Sequence, residues 1–90
     1  MVTRAEVYKV LDGERDYQDS RRVKDGSTSP DGTHTPEEFL LYMEDYLQEA
    51  RTKASRIWGA ECRPAILDII RKVTALGVAC MEENGVIPRK

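Results

Sequence analysis

One histidine, one tryptophan, one phenylalanine and two cysteines are all that this 90-residue sequence holds of several side chains on which catalysis, metal binding and large aromatic cores draw. His34 stands alone between Thr33 and Thr35, and neither cysteine has a neighbouring histidine, so nucleophilic catalysis has no constellation to work with. Cys62 and Cys80 form neither a CxxC pair nor a disulfide framework, and read as small buried hydrophobes. No run of about 18 apolar residues is present to span a bilayer. The opening "MVTRAEVYKV" lacks the uninterrupted apolar stretch of a signal peptide, so a cytoplasmic protein is expected. Charge of one sign is also lacking. The formal net charge of −2 gives no global attraction to nucleic acid or to an anionic membrane, and no basic helix or RNP-type aromatic pattern appears. Any anion site must therefore be local.

What is present is helical periodicity. Ninety residues allow a single domain with a modest core, for which oligomerisation is a natural supplement. Thr3-Arg4-Ala5-Glu6 has the form of a capping box, and Val7, Val10 and Leu11 follow at spacings of three and four. These predict a first helix over about 4–19, continuing through Gly13. From Ser20 to Thr35, "SRRVKDGSTSPDGTHT" carries Ser-Pro and two Asp-Gly pairs without an apolar period, which predicts an irregular connection. A loop this long tends to be functional or disordered.

Thr35, Pro36 and Glu38 mark the start of a second helix, predicted over about 36–58. Its apolar positions run from Phe39 through Tyr46 to Trp58 at helical spacing, up to Gly59. Pro64 is expected to open a third helix, about 64–83, and Asn84-Gly85 to end it. On that helix Ile66, Ile69, Ile70, Val73, Leu76, Gly77 and Cys80 form one apolar stripe. The opposite side is small and half apolar, with Leu67, Ala75, Val78 and Ala79 beside Asp68, Arg71 and Glu82. A helix apolar on both sides is buried on both sides, and with only three helices the second partner is expected to be another copy of the chain. The fold class is therefore all-α: an antiparallel helical hairpin plus an N-terminal helix, in an oligomeric assembly.

Facing helices can hold Mg²⁺ between carboxylates. The available oxygen ligands are Glu38, Asp45, Glu49 and Asp68, of which Asp45 and Glu49 share a helix face at i,i+4. The third helix offers only Asp68, followed at once by Arg71 and Lys72, whose cationic heads are not metal ligands.

The segments "GERDYQDS", "EEFLLYMEDYLQEA" and "IIRKVTALGVACMEENG" resemble the small MazG-like proteins of the all-α nucleoside triphosphate pyrophosphohydrolase group. They are more similar still to short phage-encoded members with an ERxxQD element and a late helix of the form VAALAVAxxE. The resemblance implies an oligomeric helical fold that handles nucleotides, with Mg²⁺ held by an ExxE element and a later ExxD element. Asp45 and Glu49 match the first as DxxxE, while the ExxD positions fall on Ile69 and Lys72.

A site that has lost its metal can bind phosphate directly where cations take over. The residues expected to bind such a ligand are Arg15 and Tyr17 from the first helix, Arg21, Arg22, Lys24 and His34 from the loop, and Arg71 and Lys72 from the third helix. Tyr17, Tyr42 and Trp58 offer faces on which a base can stack. A structural alternative has Lys72 snorkelling at the core margin and Arg71 pairing with Glu82 or with a carboxylate of a neighbouring subunit. The expected function is non-catalytic binding of a small nucleotide-like phosphorylated ligand by a homo-oligomer that needs no cofactor, as in sequestration of a host nucleotide signal by a phage protein. The alternatives are an Mg²⁺-dependent pyrophosphohydrolase and a ligand-free protein-interaction module.

Overall fold

The structure, a computed structural model, describes residues 1–25, 34–56 and 59–89, with backbone alone at 22–25, 56, 59 and 60. Three long helices account for most of it: α1 (Arg4–Asp25), α2 (Pro36–Arg56) and α3 (Arg63–Asn84), with a 3-10 turn over Gly59–Cys62 leading into α3. Among the described residues there is no strand, and no helix is long and apolar enough to cross a membrane.

Local chemistry explains the helix starts. Thr3 and Glu6 exchange hydrogen bonds: the Glu6 amide donates to Thr3 Oγ1 at 3.2 Å and the Thr3 amide to Glu6 Oε2 at 3.3 Å. Thr35 and Glu38 repeat the pattern at 3.2 and 3.0 Å. Each box satisfies two amide donors that a helix start would otherwise leave without an acceptor. At the other end of α3, Gly85 adopts φ 95° and ψ 170° and donates its amide to the Met81 carbonyl, a positive-φ cap that an L side chain would strain.

α1 continues through Gly13, as expected, but runs on to Asp25 rather than ending near residue 19. Ser20, Arg21 and Lys24, which read as the start of a loop because they carry no apolar period, are helical. Arg and Lys are good helix formers without any apolar stripe, and the Ser20 hydroxyl donates back to the Tyr17 carbonyl at 2.7 Å. Of the expected loop, Gly26 through Thr33, with the Ser-Pro pair and the second Asp-Gly pair, lies outside the described residues, as do Ile57 and Trp58 at the expected end of the second helix.

α3 is the helix on which both others pack. At the start of α2, the His34 carbonyl accepts from Asn84 Nδ2 at 3.0 Å, at the last turn of α3. Further along, Met43 approaches Gly77, and Tyr46 lies beneath Lys72. α1 meets α3 through Leu11, Glu14, Arg15 and Gln18.

Among the described residues the buried apolar ones are Leu11, Phe39, Cys62, Ile69, Ala75 and Ala79. Ile69 belongs to the expected stripe, whereas Ile70 is 47% exposed. Ala75 and Ala79, assigned to the far side, are 0% and 3% exposed. At roughly 100° per residue they fall between Arg71 and Glu82, which meet α1, and Lys72 and Leu76, which lie beside Tyr46 of α2. Small residues stand where three helices converge. α1 thus covers part of the second side of α3, around Arg71, Ala75, Ala79 and Glu82, while Leu67 on that side stays exposed.

Candidate functional site

The element "ERDYQD" acts first as a lock between α1 and α3. Arg15 is 8% exposed, and its guanidinium grips Glu82 with two hydrogen bonds, Nε to Oε1 at 3.0 Å and Nη2 to Oε2 at 3.2 Å. The same guanidinium donates to Gln18 Oε1 at 3.0 Å and Asp19 Oδ1 at 2.9 Å. The bidentate pair with Glu82 raises the Arg15 pKa further above its ordinary value and holds the Glu82 carboxyl below its own. Gln18 in turn donates Nε2 to the Lys72 carbonyl at 3.3 Å.

Arg71 does not pair with Glu82. It donates Nε to Glu14 at 2.8 Å and Nη2 to Asp68 at 2.5 Å, and these two carboxylates, Glu14 first, raise its pKa. Lys72 faces the other Asp68 oxygen at 3.3 Å, which raises its pKa, and its ammonium lies 5.8 Å from the centre of the Tyr46 ring. Asp68, between Arg71 and then Lys72, has its pKa lowered by both. The two adjacent cations of α3 are therefore compensated within one chain.

What this arrangement leaves open is a polar cleft of about 390 Å³, bounded by Glu14, Tyr17, Gln18 and Arg21 of α1 and by Tyr46 and Lys72. That volume is within the range of small-molecule sites. Its chemistry is specific: two tyrosine rings, an ammonium, a guanidinium, one carboxylate and one amide. Only one of the three Lys72 ammonium hydrogens is needed for Asp68. Of the expected ligand-binding residues, the cleft gathers Tyr17, Arg21 and Lys72. Arg15 and Arg71 do not line it, but each holds one of the side chains that do, Gln18 and Glu14 respectively.

His34 is elsewhere. Its ring makes edge-on contacts with Phe39 and Tyr42 at 5.9 and 5.8 Å, and Nδ1 lies 3.3 Å from Glu38. Its backbone is tied to Asn84, twelve residues beyond Lys72 and so roughly 18 Å along the helix. The side chains of Arg22 and Lys24, and all of Trp58, lie outside the described residues.

Glu14, Gln18 and Tyr46 were not singled out as ligand contacts from sequence. The signal was there for the first two: positions 14, 17, 18 and 21 share one helical face, the spacing of a single polar wall. Tyr46 was absorbed into the apolar stripe of the second helix.

The four candidate metal ligands are dispersed in role. Glu38 closes the α2 cap and faces His34; the Thr35 amide, then His34, lowers its pKa. Asp68 is engaged by Arg71 and Lys72. Asp45 and Glu49 line a neighbouring hollow of about 360 Å³ with Tyr42, Tyr46 and Leu76. Among the described residues no group of three or more His, Cys, Asp or Glu side chains is placed to hold a metal ion.

Comparison with protein-family models, with curated proteins and with solved structures finds no match.

Proposed function

We propose that this protein binds a small phosphorylated, nucleotide-like ligand without turning it over. The ligand occupies the cleft between α1 and α3, and the protein works as a homo-oligomer of helical hairpins each crossed by an N-terminal helix. The observation that carries the reading is the meeting of Lys72 and Arg21 with the Tyr17 and Tyr46 rings in one cleft. Phosphate needs charge-assisted donors and a base needs a flat apolar face. Lys72 and Arg21 offer the first, Tyr17 and Tyr46 the second. Glu14 and Gln18 add an acceptor and an amide through which the ligand's base can be oriented.

The same reading accounts for the MazG-like pattern and its departure. Lys72 stands where that pattern has a metal-binding carboxylate, so a cation meets the phosphate directly and no Mg²⁺ is required to bridge it. In a phage setting, such a binder would withdraw a host nucleotide signal from its receptor.

Thermal unfolding with a panel of linear and cyclic nucleotides tests this. A ligand at about 100 times its Kd stabilises the native state by about 2.7 kcal/mol. The expected result is a shift with at least one phosphorylated nucleotide, lost in Lys72→Ala and Tyr46→Ala. No shift with any of them would overturn the reading in favour of a ligand-free interaction module. Release of pyrophosphate in the presence of Mg²⁺, abolished by Glu49→Ala, would overturn it in favour of hydrolysis.

A further inference from the structure

Nearer the start of α1 than the turns that line the polar cleft, the helix and α3 leave a second depression of about 390 Å³ whose walls are almost wholly apolar. Val2 and, from α1, Val7 and Val10 line it on one side, Leu67 and Ile70 of α3 on the other, and all five remain exposed. Glu6 and Arg71 supply the charges at its edge. No side chain of the ion cluster other than Arg71 reaches it, and the proposed ligand site makes no use of it.

The same chain carries a well-exposed apolar segment. Beyond the Gly85 cap, Val86 and Ile87 are 66% and 97% exposed. Pro88 follows, which biases Ile87 to an extended backbone, so the two side chains are presented in a stiff, non-helical form. Arg89 comes next, a cation to meet the carboxylate of Glu6.

Ile87 cannot fill the depression of its own chain. From Asn84 the wall of the depression begins at Thr74, about 15 Å back along α3, and Ile70 is about 21 Å back. Three extended residues from Asn84 to Ile87 span about 10 Å at most. The depression and the segment match in chemistry yet are out of reach of each other within one molecule.

We propose that the Val86–Ile87 segment of a second copy occupies the apolar depression between α1 and α3, and that the exchange is reciprocal. Two equivalent contacts related by a two-fold axis close the assembly without leaving either element exposed. This inference rests on the homo-oligomer of the preceding section and names the contact that holds it.

The test is light scattering on the full chain, without nucleotide, for the parent, Ile87→Asp and Leu67→Asp. Both substituted residues are well exposed, and circular dichroism confirms that each variant is folded. The expected result is an assembled parent, two variants that each dissociate, and association when the variants are mixed in equal amounts, because the mixture restores one intact segment facing one intact depression. An assembled parent whose size is unchanged by Ile87→Asp would overturn this inference alone. So would a mixture that fails to associate, which would point to face-on-face packing of the apolar walls. A monomeric parent at high concentration would overturn this contact together with the proposed assembly, while leaving nucleotide binding to its own thermal-shift test.

Discussion

Arg15 and Glu82, 67 residues apart in sequence, are joined by two side-by-side hydrogen bonds that tie the middle of α1 to the last turns of α3. The pair is asymmetric: the Arg15 side chain is 10% exposed and that of Glu82 is 52% exposed. The guanidinium is therefore the costly member to leave without a partner, and the carboxylate regains water when its partner is removed.

The substitutions that test the pair differ in what they remove. Arg15→Ala removes the packed stem and every bond of the cluster, and is expected to cost about 1–3 kcal/mol. In a domain of this size each kcal/mol corresponds to roughly 4–8 °C in Tm. Glu82→Gln retains one acceptor for Arg15 and is expected to cost less. A double-mutant cycle on chemical denaturation should return a positive coupling between them. Strict additivity would show that the bonds contribute nothing.

Burial on α3 gives a second pair. Ile69→Ala, at 2% exposure, is expected to cost about 2–5 kcal/mol, and Ile70→Ala, one residue on and 47% exposed, clearly less. Overfilling the convergence point with Ala75→Leu should cost about 1–3 kcal/mol. Urea midpoints measure all three, and equal losses at 69 and 70 would contradict the packing.

Gly13 is the site for a gain. It lies inside α1, and a Cβ there meets nothing within 4 Å. Gly13→Ala is expected to stabilise the fold by about 0.5–1 kcal/mol through helix propensity and a less flexible unfolded chain. Gly85→Ala should do the opposite, because φ 95° is strained for any L side chain.

Acid should weaken the lock. Glu82 and Asp68 have folded-state pKa values held below their unfolded ones, Glu82 by Arg15 and Asp68 by Arg71 then Lys72. Between the folded and unfolded values the unfolded chain binds more protons, so stability rises with pH. The stabilisation is present above the ordinary carboxylate range and is lost as pH falls through the depressed values. Stability followed from neutral pH into that range should decline, and Glu82→Gln should decline less steeply than the parent.

How far the sequence spoke for itself differs from element to element. Both capping boxes were legible because each is a conversation between residues three apart. The positive-φ Gly85 was legible for the same local reason. The depth of Ala75 and Ala79 was not, since a wheel separates the sides of α3 without saying which neighbour lies against each. Nor was the destination of Arg71. The sequence offered it Glu82 or a carboxylate of a neighbouring subunit, and the crossing of α1 over α3 supplied Glu14 instead, 57 residues away in the same chain. The polar wall of Glu14, Tyr17, Gln18 and Arg21 was half legible: its spacing is local, but its opposite wall at Tyr46 and Lys72 exists only once three helices have met.

The attachment of α1 has a kinetic consequence. α2 and α3 are near neighbours in sequence and their contacts close short loops, whereas α1 reaches α3 across more than fifty residues. Contacts of short range form faster, so α1 is the natural last arrival and the first element to leave. Four of the six residues bounding the polar cleft travel with it. The cavity is then assembled by the final folding event, and filling it and docking the first helix become two descriptions of one equilibrium.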